Sequence, residues 1–342
     1  MKTKWYIILF VLVLQSVGMQ AQNYTQLWKQ ADEVSKKDLP QSELKIVGQI
    51  INKAEKERVY GQLLKSELRW MQLRNIISPD SLAPDVNRMV QKEHNCKDEV
   101  LRAVYDAILV KIYNNFPNLD ENKSIETYRK QALQPIEKLA KTQALIYEPM
   151  MLKGHNSDIY NGDLLSVMGY AMNTYEPLSK YYVKAGMRRA ACISSLEWLK
   201  QQFHNKKPAD DWHKSAYVRQ LDSLIRVYGD LEEAGEIAVE RYFALSRCKN
   251  TKVEERITYI HEATTKWGTW QRMNVLRTEE QNLTTSKYQV KFPSSDMMPG
   301  DSTHIQLNNL RNISQMTISV YPVKVNGDTQ LNPQNARDYK QL

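Results

Sequence analysis

Histidine and cysteine are the softer metal ligands among the side chains of this sequence, and the only close pairing of them is His94 with Cys96. A zinc ion in a protein takes three or four such ligands at short, regular spacings. No third ligand lies near this pair in the sequence. We therefore interpret His94 and Cys96 as part of a solvent-exposed turn and not as a zinc site.

Two polar segments also contain residue types that occur in metal-binding loops. One carries four potential ligands, namely His204, Asp210, Asp211 and His213. Loops are rich in such residues for conformational reasons, so we interpret this segment as an ordinary polar loop. The other segment, residues 158–163, lacks the oxygen spacing and the closing glutamate of a calcium loop. We interpret it as a turn followed by a helix that Asp163 caps.

Local motifs of enzyme catalysis are missing from the sequence. It has no glycine-rich phosphate loop, nucleophile elbow, HExxH motif or paired-carboxylate helix motif. Serines and histidines are present, but no motif selects one of them. We predict no catalytic, cofactor-binding or metal-binding residues, and no enzymatic activity.

Residues 1–21 have the layout of an export signal. Two lysines give a positive start, an apolar run covers residues 5–14, and Ala21 offers a small residue for cleavage. A membrane-spanning helix needs about 20 apolar residues, and Gln15 interrupts this run too early. We predict a cleaved signal peptide and an exported protein without a stable membrane span, located in the periplasm, at the outer membrane or outside the cell.

The charge of the chain is modestly basic. The net charge is +8, and the lysines are dispersed among glutamates. Nucleic-acid binding requires a basic stripe with stacking aromatic side chains. The runs Lys36-Lys37 and Lys206-Lys207 are too short for this, so we predict a solvated surface and no nucleic-acid partner.

The three cysteines, Cys96, Cys192 and Cys248, lie far apart. In an exported chain they allow one disulfide and a spare thiol, but not a disulfide scaffold. Cys192 and Cys248 fall on apolar helix faces, so we expect both to be buried as small hydrophobic side chains.

Apolar residues recur at helical spacing from about Tyr24 to about Asn282. The first such stripe consists of Tyr24, Leu27, Trp28, Ala31 and Val34. Short links between amphipathic helices make neighbouring helices antiparallel. We therefore predict a mostly α fold, with an irregular array of antiparallel helical hairpins in residues 22–284.

Parts of this array resemble tetratricopeptide repeats. Tyr181 and Tyr182, with Ala190 and Ala191, suggest the large–small meshing of such repeats, although the 34-residue period of that family is not kept. We predict one helix over Ile125–Leu139 and a helix capped by Asp210 that runs to Tyr228. Residues 164–203 should form one or two helices, interrupted near Pro177 and Gly186.

After Ser286 the apolar residues alternate, which is typical of strands. We predict strands at Tyr288–Phe292, His304–Leu307 and Met316–Tyr321, with turns at Pro299-Gly300 and Asn326-Gly327. A β-sandwich needs about seven strands and about 100 residues. We predict that residues 285–342 hold the first strands of an incomplete sandwich and that the chain is the N-terminal part of a longer protein.

The junction between the two patterns carries a family resemblance. Three segments form it: Trp267–Arg277, Tyr288–Phe292 and Met298–Gly300. Together with Leu27–Ala31 and Lys37–Pro40, they resemble the N-terminal region of large exported alpha-2-macroglobulin-like proteins of Bacteroides-type bacteria. The resemblance covers essentially the whole mature chain and rests on overall pattern.

The resemblance implies a helical region that precedes a series of macroglobulin-type β-sandwich domains. It also implies endopeptidase inhibition or peptidase trapping by the complete molecule, with peptidases or another envelope protein as partners. The thioester motif of the family is not found here, because none of the three cysteines is followed by Gly-Glu-Gln. This chain would then act as a scaffold or docking region.

A second hypothesis does not depend on the family. A helical array can present a concave surface to a partner, so the chain could be a free-standing exported module that binds a protein or peptide. A third hypothesis, an exported enzyme whose active site is scattered along the chain, predicts hydrolytic turnover by the purified protein.

Overall fold

The structure is a computed structural model that describes residues 23–119, 125–148, 150, 157–291 and 305–317 of the 342-residue chain. These residues form fourteen helices and one two-stranded antiparallel sheet. The mostly helical fold predicted from the sequence is confirmed. The chain divides into two compact units, Met1–Thr251 and Lys252–Leu342. The predicted signal peptide lies outside the described residues.

The first unit is built from paired helices. In chain order they are α1 (23–35), α2 (Pro40–Glu57), α3 (Tyr60–Ile77), α4 (Leu82–Asn95), α5 (Glu99–Asn115), α6 (Ile125–Gln131), α7 (Ile136–Lys141), α8 (Leu164–Ala171), α9 (Glu176–Lys184), α10 (Arg188–Phe203), α11 (Ala216–Tyr228) and α12 (Ala234–Ser246). Consecutive helices pack together as α2 with α3, α4 with α5, α9 with α10, and α11 with α12. Among the helices that the structure describes, none has the length and apolar character needed to cross a membrane.

The first helices share an apolar core. Tyr24 and Ala31 of α1 are buried against Val47 and Ile50 of α2. Trp28 packs beside this cluster and is partly buried, and its indole Nε1 donates a hydrogen bond to Gln62 Oε1 at 2.7 Å. The predicted stripe of α1 is confirmed, with Trp28 at the edge of the core.

Three predicted helices differ from the structure. Ile125–Leu139 is not one helix, because a turn at residues 132–135 separates α6 from α7. Leu164–Phe203 forms three helices and not one or two, and its breaks at residues 172–175 and 185–187 lie near Pro177 and Gly186, as predicted. Pro177 itself lies in the first turn of α9. Asp210 does not cap α11. That role belongs to Ser215, whose Oγ accepts a hydrogen bond from the backbone nitrogen of Val218 at 3.3 Å.

Two buried glutamates tie the early helices together. Glu43 on α2 accepts hydrogen bonds from Arg69 Nε and Nη2 on α3, at 2.6 and 2.9 Å. Glu67 on α3 is 1% exposed, forms an ion pair with Lys92 on α4, and accepts a hydrogen bond from the Tyr105 hydroxyl on α5 at 3.1 Å. Buried carboxylates are tolerated when they have such partners. These contacts therefore hold α2 to α3, and α3 to α4 and α5.

We expect Lys92→Ala to lower the free energy of unfolding by about 2 kcal/mol, because it leaves the buried Glu67 carboxylate without its counter-charge. Breaking a fully buried pair costs about 3–5 kcal/mol, but the Lys92 side chain is 28% exposed, which reduces the loss. Urea unfolding, monitored by far-ultraviolet circular dichroism, measures this loss of stability. The matched control is Lys180→Ala, which removes the exposed pair with Glu176 and should cost under about 0.5 kcal/mol. Equal losses would contradict the assignment.

The second unit contains two helices and the sheet. The helices α13 (Val253–Trp267) and α14 (Met273–Thr284) pack together, and β1 (Lys287–Lys291) pairs with β2 (Gln306–Arg311). The end of β2 caps α14. Arg311 Nη1 donates to the carbonyl oxygen of Asn282 at 2.6 Å, and Asn312 Nδ2 donates to those of Leu283 and Thr285. These bonds satisfy carbonyls that have no partner within the helix, so the hairpin is fastened to α14.

The predicted strands are only partly matched. β1 agrees with the first of them, whereas β2 begins two residues later than the predicted second strand and continues to Arg311. Met316 and Thr317 are not in a strand, and the rest of the predicted third strand and both predicted turns lie outside the described residues. The sandwich, the repeat-like helix arrangement and the boundary at residue 285 stay predictions.

Candidate functional site

The metal sites considered above do not assemble in the structure. Throughout the described ranges, no group of three histidine, cysteine, aspartate or glutamate side chains is placed to hold a metal ion. His94 is largely exposed, and Cys96 Sγ donates to the carbonyl oxygen of Asp98 at 3.4 Å. Both residues lie at the C-terminal end of α4, and they belong to no group of three metal ligands among the described residues.

The polar loop between α10 and α11 uses its aspartates for local structure. Asp211 Oδ1 accepts hydrogen bonds from the backbone nitrogen of His213 at 3.0 Å and from Asn250 Nδ2 at 2.8 Å. These bonds lower the pKa of Asp211 below its usual range, and the bond from the backbone of His213 has the largest effect on that pKa. Asp210 pairs with Lys249 in solvent. The interpretation as an ordinary polar loop therefore agrees with the structure.

Asp163 caps α8, as the sequence predicts. Its Oδ1 accepts a hydrogen bond from the backbone nitrogen of Ser166 at 2.8 Å. The same buried carboxyl group accepts a hydrogen bond from the Tyr182 hydroxyl at about 3 Å, and the Tyr182 ring packs against that of Tyr160. Burial raises the pKa of Asp163. The segment that superficially resembles a calcium loop is thus a cap that also joins α8 to α9.

We expect Asp163→Ala to destabilise the fold by about 2 kcal/mol. It removes a helix cap, worth about 1 kcal/mol, and leaves the buried Tyr182 hydroxyl without its acceptor. Thermal unfolding measures this loss. Asp158→Ala, at an exposed position five residues earlier, is the control and should change stability by less than about 0.5 kcal/mol. A similar effect of both substitutions would mean that the cap is not important for stability.

The three cysteines are free. Cys192 and Cys248 are buried, as expected from their helix faces. Burial raises the pKa of Cys192 to about 12, with the nearby Glu233 carboxylate adding to the effect. A thiol of such high pKa is a poor nucleophile, because the thiolate is the reactive form. These residues therefore serve packing.

An apolar groove of about 550 Å³ opens between α3, α5 and α8. Its walls are apolar side chains from the three helices: Leu68, Met71, Ile108, Ile112, Val167 and Met168. The rim carries the amide side chains of Gln72, Asn75 and Asn115 and the ammonium group of Lys111. An apolar floor with a few polar groups at its edge is typical of binding pockets.

A second, polar cavity of about 620 Å³ lies on the opposite side of α5, among α4, α6 and the turn that leads into α7. Asp106 and Glu93 line it and are 2% and 6% exposed. Asp106 Oδ1 is buried and has no hydrogen-bond partner within the described part of the chain. Burial raises the pKa of Asp106 to about 8; the Glu93 carboxylate contributes to this rise, and Arg102 opposes it.

Sequence reasoning did not identify this cavity, although one signal for it exists. Asp106 is the single charged residue in the run Ala103–Val110, whose other members are apolar or aromatic. A charge placed inside a buried stretch costs free energy unless it has a partner or a role. The other lining residues, on α4, α6 and the following turn, are distant in sequence, so only the folded chain brings them together.

Comparison with known proteins provides no family assignment. No protein-family model, no curated protein and no solved structure matches this chain.

Proposed function

We propose that this chain is the non-catalytic N-terminal scaffold and docking region of an exported alpha-2-macroglobulin-like protein. In this proposal a repeat-like helical array precedes the opening strands of a macroglobulin-type sandwich. Endopeptidase inhibition or peptidase trapping belongs to the complete molecule, and the partners are peptidases or another envelope protein. The leader at residues 1–21 and the junction at Trp267–Phe292 motivate the proposal from the sequence.

The exposed hairpin is the observation that supports this proposal best. Every residue of β1 is exposed, including Tyr288 at 60% and Val290 at 39%, and Leu310 of β2 is 53% exposed. Proteins usually cover or charge such apolar strands, because an open edge invites pairing with other chains. The hairpin is fastened to α14 and exposes apolar side chains, which further strands of a larger β domain would cover.

Immunoblotting of cells that express the gene naturally tests this proposal. An antibody against the helical region should detect an envelope or secreted protein far larger than the 39.9 kDa of this chain. That large protein should inhibit endopeptidases, whereas the present chain alone should neither hydrolyse substrates nor inhibit peptidases. A band at or below the mass of this chain would overturn the proposal.

A second candidate function is a free-standing module that binds an extended peptide. The apolar groove between α3, α5 and α8 favours it, because apolar walls can take a peptide side chain while Gln72, Asn75 and Asn115 can bond to its backbone. Lys111 is the one charged side chain among the described residues that line the groove, so we expect selection of apolar peptides and no selection against acidic ones.

Peptides selected from a displayed library against the full chain test this second candidate. Val167→Asp places a charge in the groove and should weaken the selected peptides at least about tenfold, since an unpaired charge would be desolvated on binding. Val227→Asp, at an exposed position on α11, makes the same chemical change elsewhere and should leave the affinity unchanged. Equal binding to both variants would exclude the groove.

A further inference from the structure

The polar cavity has walls from several separate segments of the chain. Glu93 comes from α4, and Asp106 and Arg102 come from α5. Gln131 comes from α6, and Gln134 from the turn that follows it. The volume of about 620 Å³ is within the range of about 300–1,000 Å³ that is typical of small-molecule pockets in proteins. The cavity is therefore large enough for a ligand.

The charges in this cavity favour a cation. Three carboxylates line it, those of Glu93, Glu99 and Asp106, against the guanidinium of Arg102. Glu99 lies at the mouth and is paired with Lys138 at 2.7 Å. Inside, Glu93 and Asp106 are both more than nine-tenths buried. Two ionised carboxylates facing one cavity repel each other, which favours protonated Asp106 while no ligand is bound, and a cation between them stabilises the ionised form.

The unpartnered oxygen of Asp106 gives the cavity a specific acceptor. A buried carboxylate oxygen without a hydrogen bond destabilises the folded protein, because it has lost its contact with water. A ligand that donates a hydrogen bond to this oxygen offsets that loss. A metal ion fits poorly, because the described side chains include no suitable group of three ligands. An ammonium group carries three donors and no acceptor, and it can meet acceptors on Asp106, Glu93 and the glutamine amides.

From this geometry we infer that the cavity between α4, α5 and α6 binds a primary alkylammonium group, whose charge lies between the carboxylates of Asp106 and Glu93. The group can belong to a free small amine or to a lysine side chain of a peptide. The inference does not depend on the function proposed above, because it rests on this cavity alone.

Binding should depend on pH in a particular direction. The ammonium requires ionised Asp106, whose pKa is raised to about 8, so protonation of Asp106 competes with the ligand. Affinity should rise about tenfold per pH unit from pH 6 towards pH 8, then level off while the amine stays protonated. The other titratable or charged groups that line the cavity are Glu93 and His94 from α4, Glu99 and Arg102 from α5, and Tyr128 from α6.

Calorimetric titration of the full chain tests the inference with two probes. One is n-butylammonium chloride, and the other is a pentapeptide with blocked ends and a single central lysine. The same peptide with norleucine in place of lysine is the control ligand. Titrations at pH 6, 7, 8 and 9, in two buffers of different ionisation enthalpy, give the affinity and the number of protons released.

We expect binding that strengthens with pH, releases a proton below pH 8, and falls at least about tenfold in Asp106→Asn. Glu93→Gln should weaken binding as well, whereas Glu176→Gln, an exposed acid on α9, should not. Binding of the peptide alone would assign the site to a lysine side chain, and binding of butylammonium as well would extend it to free amines. If neither probe binds at pH 9, or if Asp106→Asn binds both equally well, the inference is wrong.

Discussion

Gly61→Ala is expected to lower the free energy of unfolding by about 3–4 kcal/mol, at the upper end of what overpacking costs. Gly61 lies in the first turn of α3, where the 3₁₀ turn Ala144–Tyr147 packs against the helix. A Cβ atom at this position would lie 2.0 Å from the carbonyl oxygen of Glu148 and 2.5 Å from the carbonyl carbon of Tyr147. Both are backbone atoms, so no side-chain rotation relieves the clash.

Gly48→Ala provides the control for this prediction. Gly48 lies in the middle of α2, and nothing lies within 4 Å of the position that a Cβ atom would take. Alanine is a better helix former than glycine, so this variant should gain about 0.5–1 kcal/mol. Urea unfolding of both variants gives the comparison. If Gly61→Ala also proved neutral or stabilising, the contact between α3 and residues 147–148 would not exist in solution.

Helix positions could be predicted from the sequence because they depend on local patterns. The stripe in α1 and the buried face of α2 follow from 3.6-residue periodicity, and the cap at Asp163 follows from the preference of aspartate for that position. Boundaries were less predictable. The break between α6 and α7 and the cap at Ser215 depend on turn geometry, and a periodic apolar pattern continues across such turns without interruption.

The contacts between segments could not be read from the sequence in the same way. Gly61 is one glycine among twelve in the chain, and only its neighbour across the fold, the backbone at residues 147–148, makes a side chain intolerable there. Asp106 stands out as a charge in an apolar run, but whether such a residue is paired, protonated or open to a cavity depends on α4 and α6. Propensity and periodicity contain no information on these tertiary neighbours.

The second large effect concerns the stability of the ligand-free chain at different pH values. Asp106 has a pKa of about 8 in the folded protein, against an ordinary value near 4 in the unfolded chain. The folded state therefore holds a proton that the unfolded state has lost, and its stability falls as the pH rises from about 5 to 8. Above pH 8 this contribution is constant. Each pH unit in this range lowers the free energy of unfolding by about 1.4 kcal/mol, so the loss of stability over the range is about 3–4 kcal/mol.

Asp106→Asn should remove this dependence, because asparagine has a similar shape and no charge to bury. The variant should therefore be the more stable protein at pH 8 and should lose its advantage towards pH 5. Urea unfolding at intervals of half a pH unit gives the free energy of unfolding as a function of pH for the variant and for the unmodified chain. The curve of the control, Glu176→Gln, should be parallel to that of the unmodified chain.

A parallel curve for Asp106→Asn would mean that Asp106 is ionised at neutral pH with a partner. The cavity would then lack the free acceptor on which ammonium binding depends. The same substitution should thus stabilise the ligand-free protein and weaken binding at least about tenfold, a combination expected of a residue that serves ligand binding at a cost in stability.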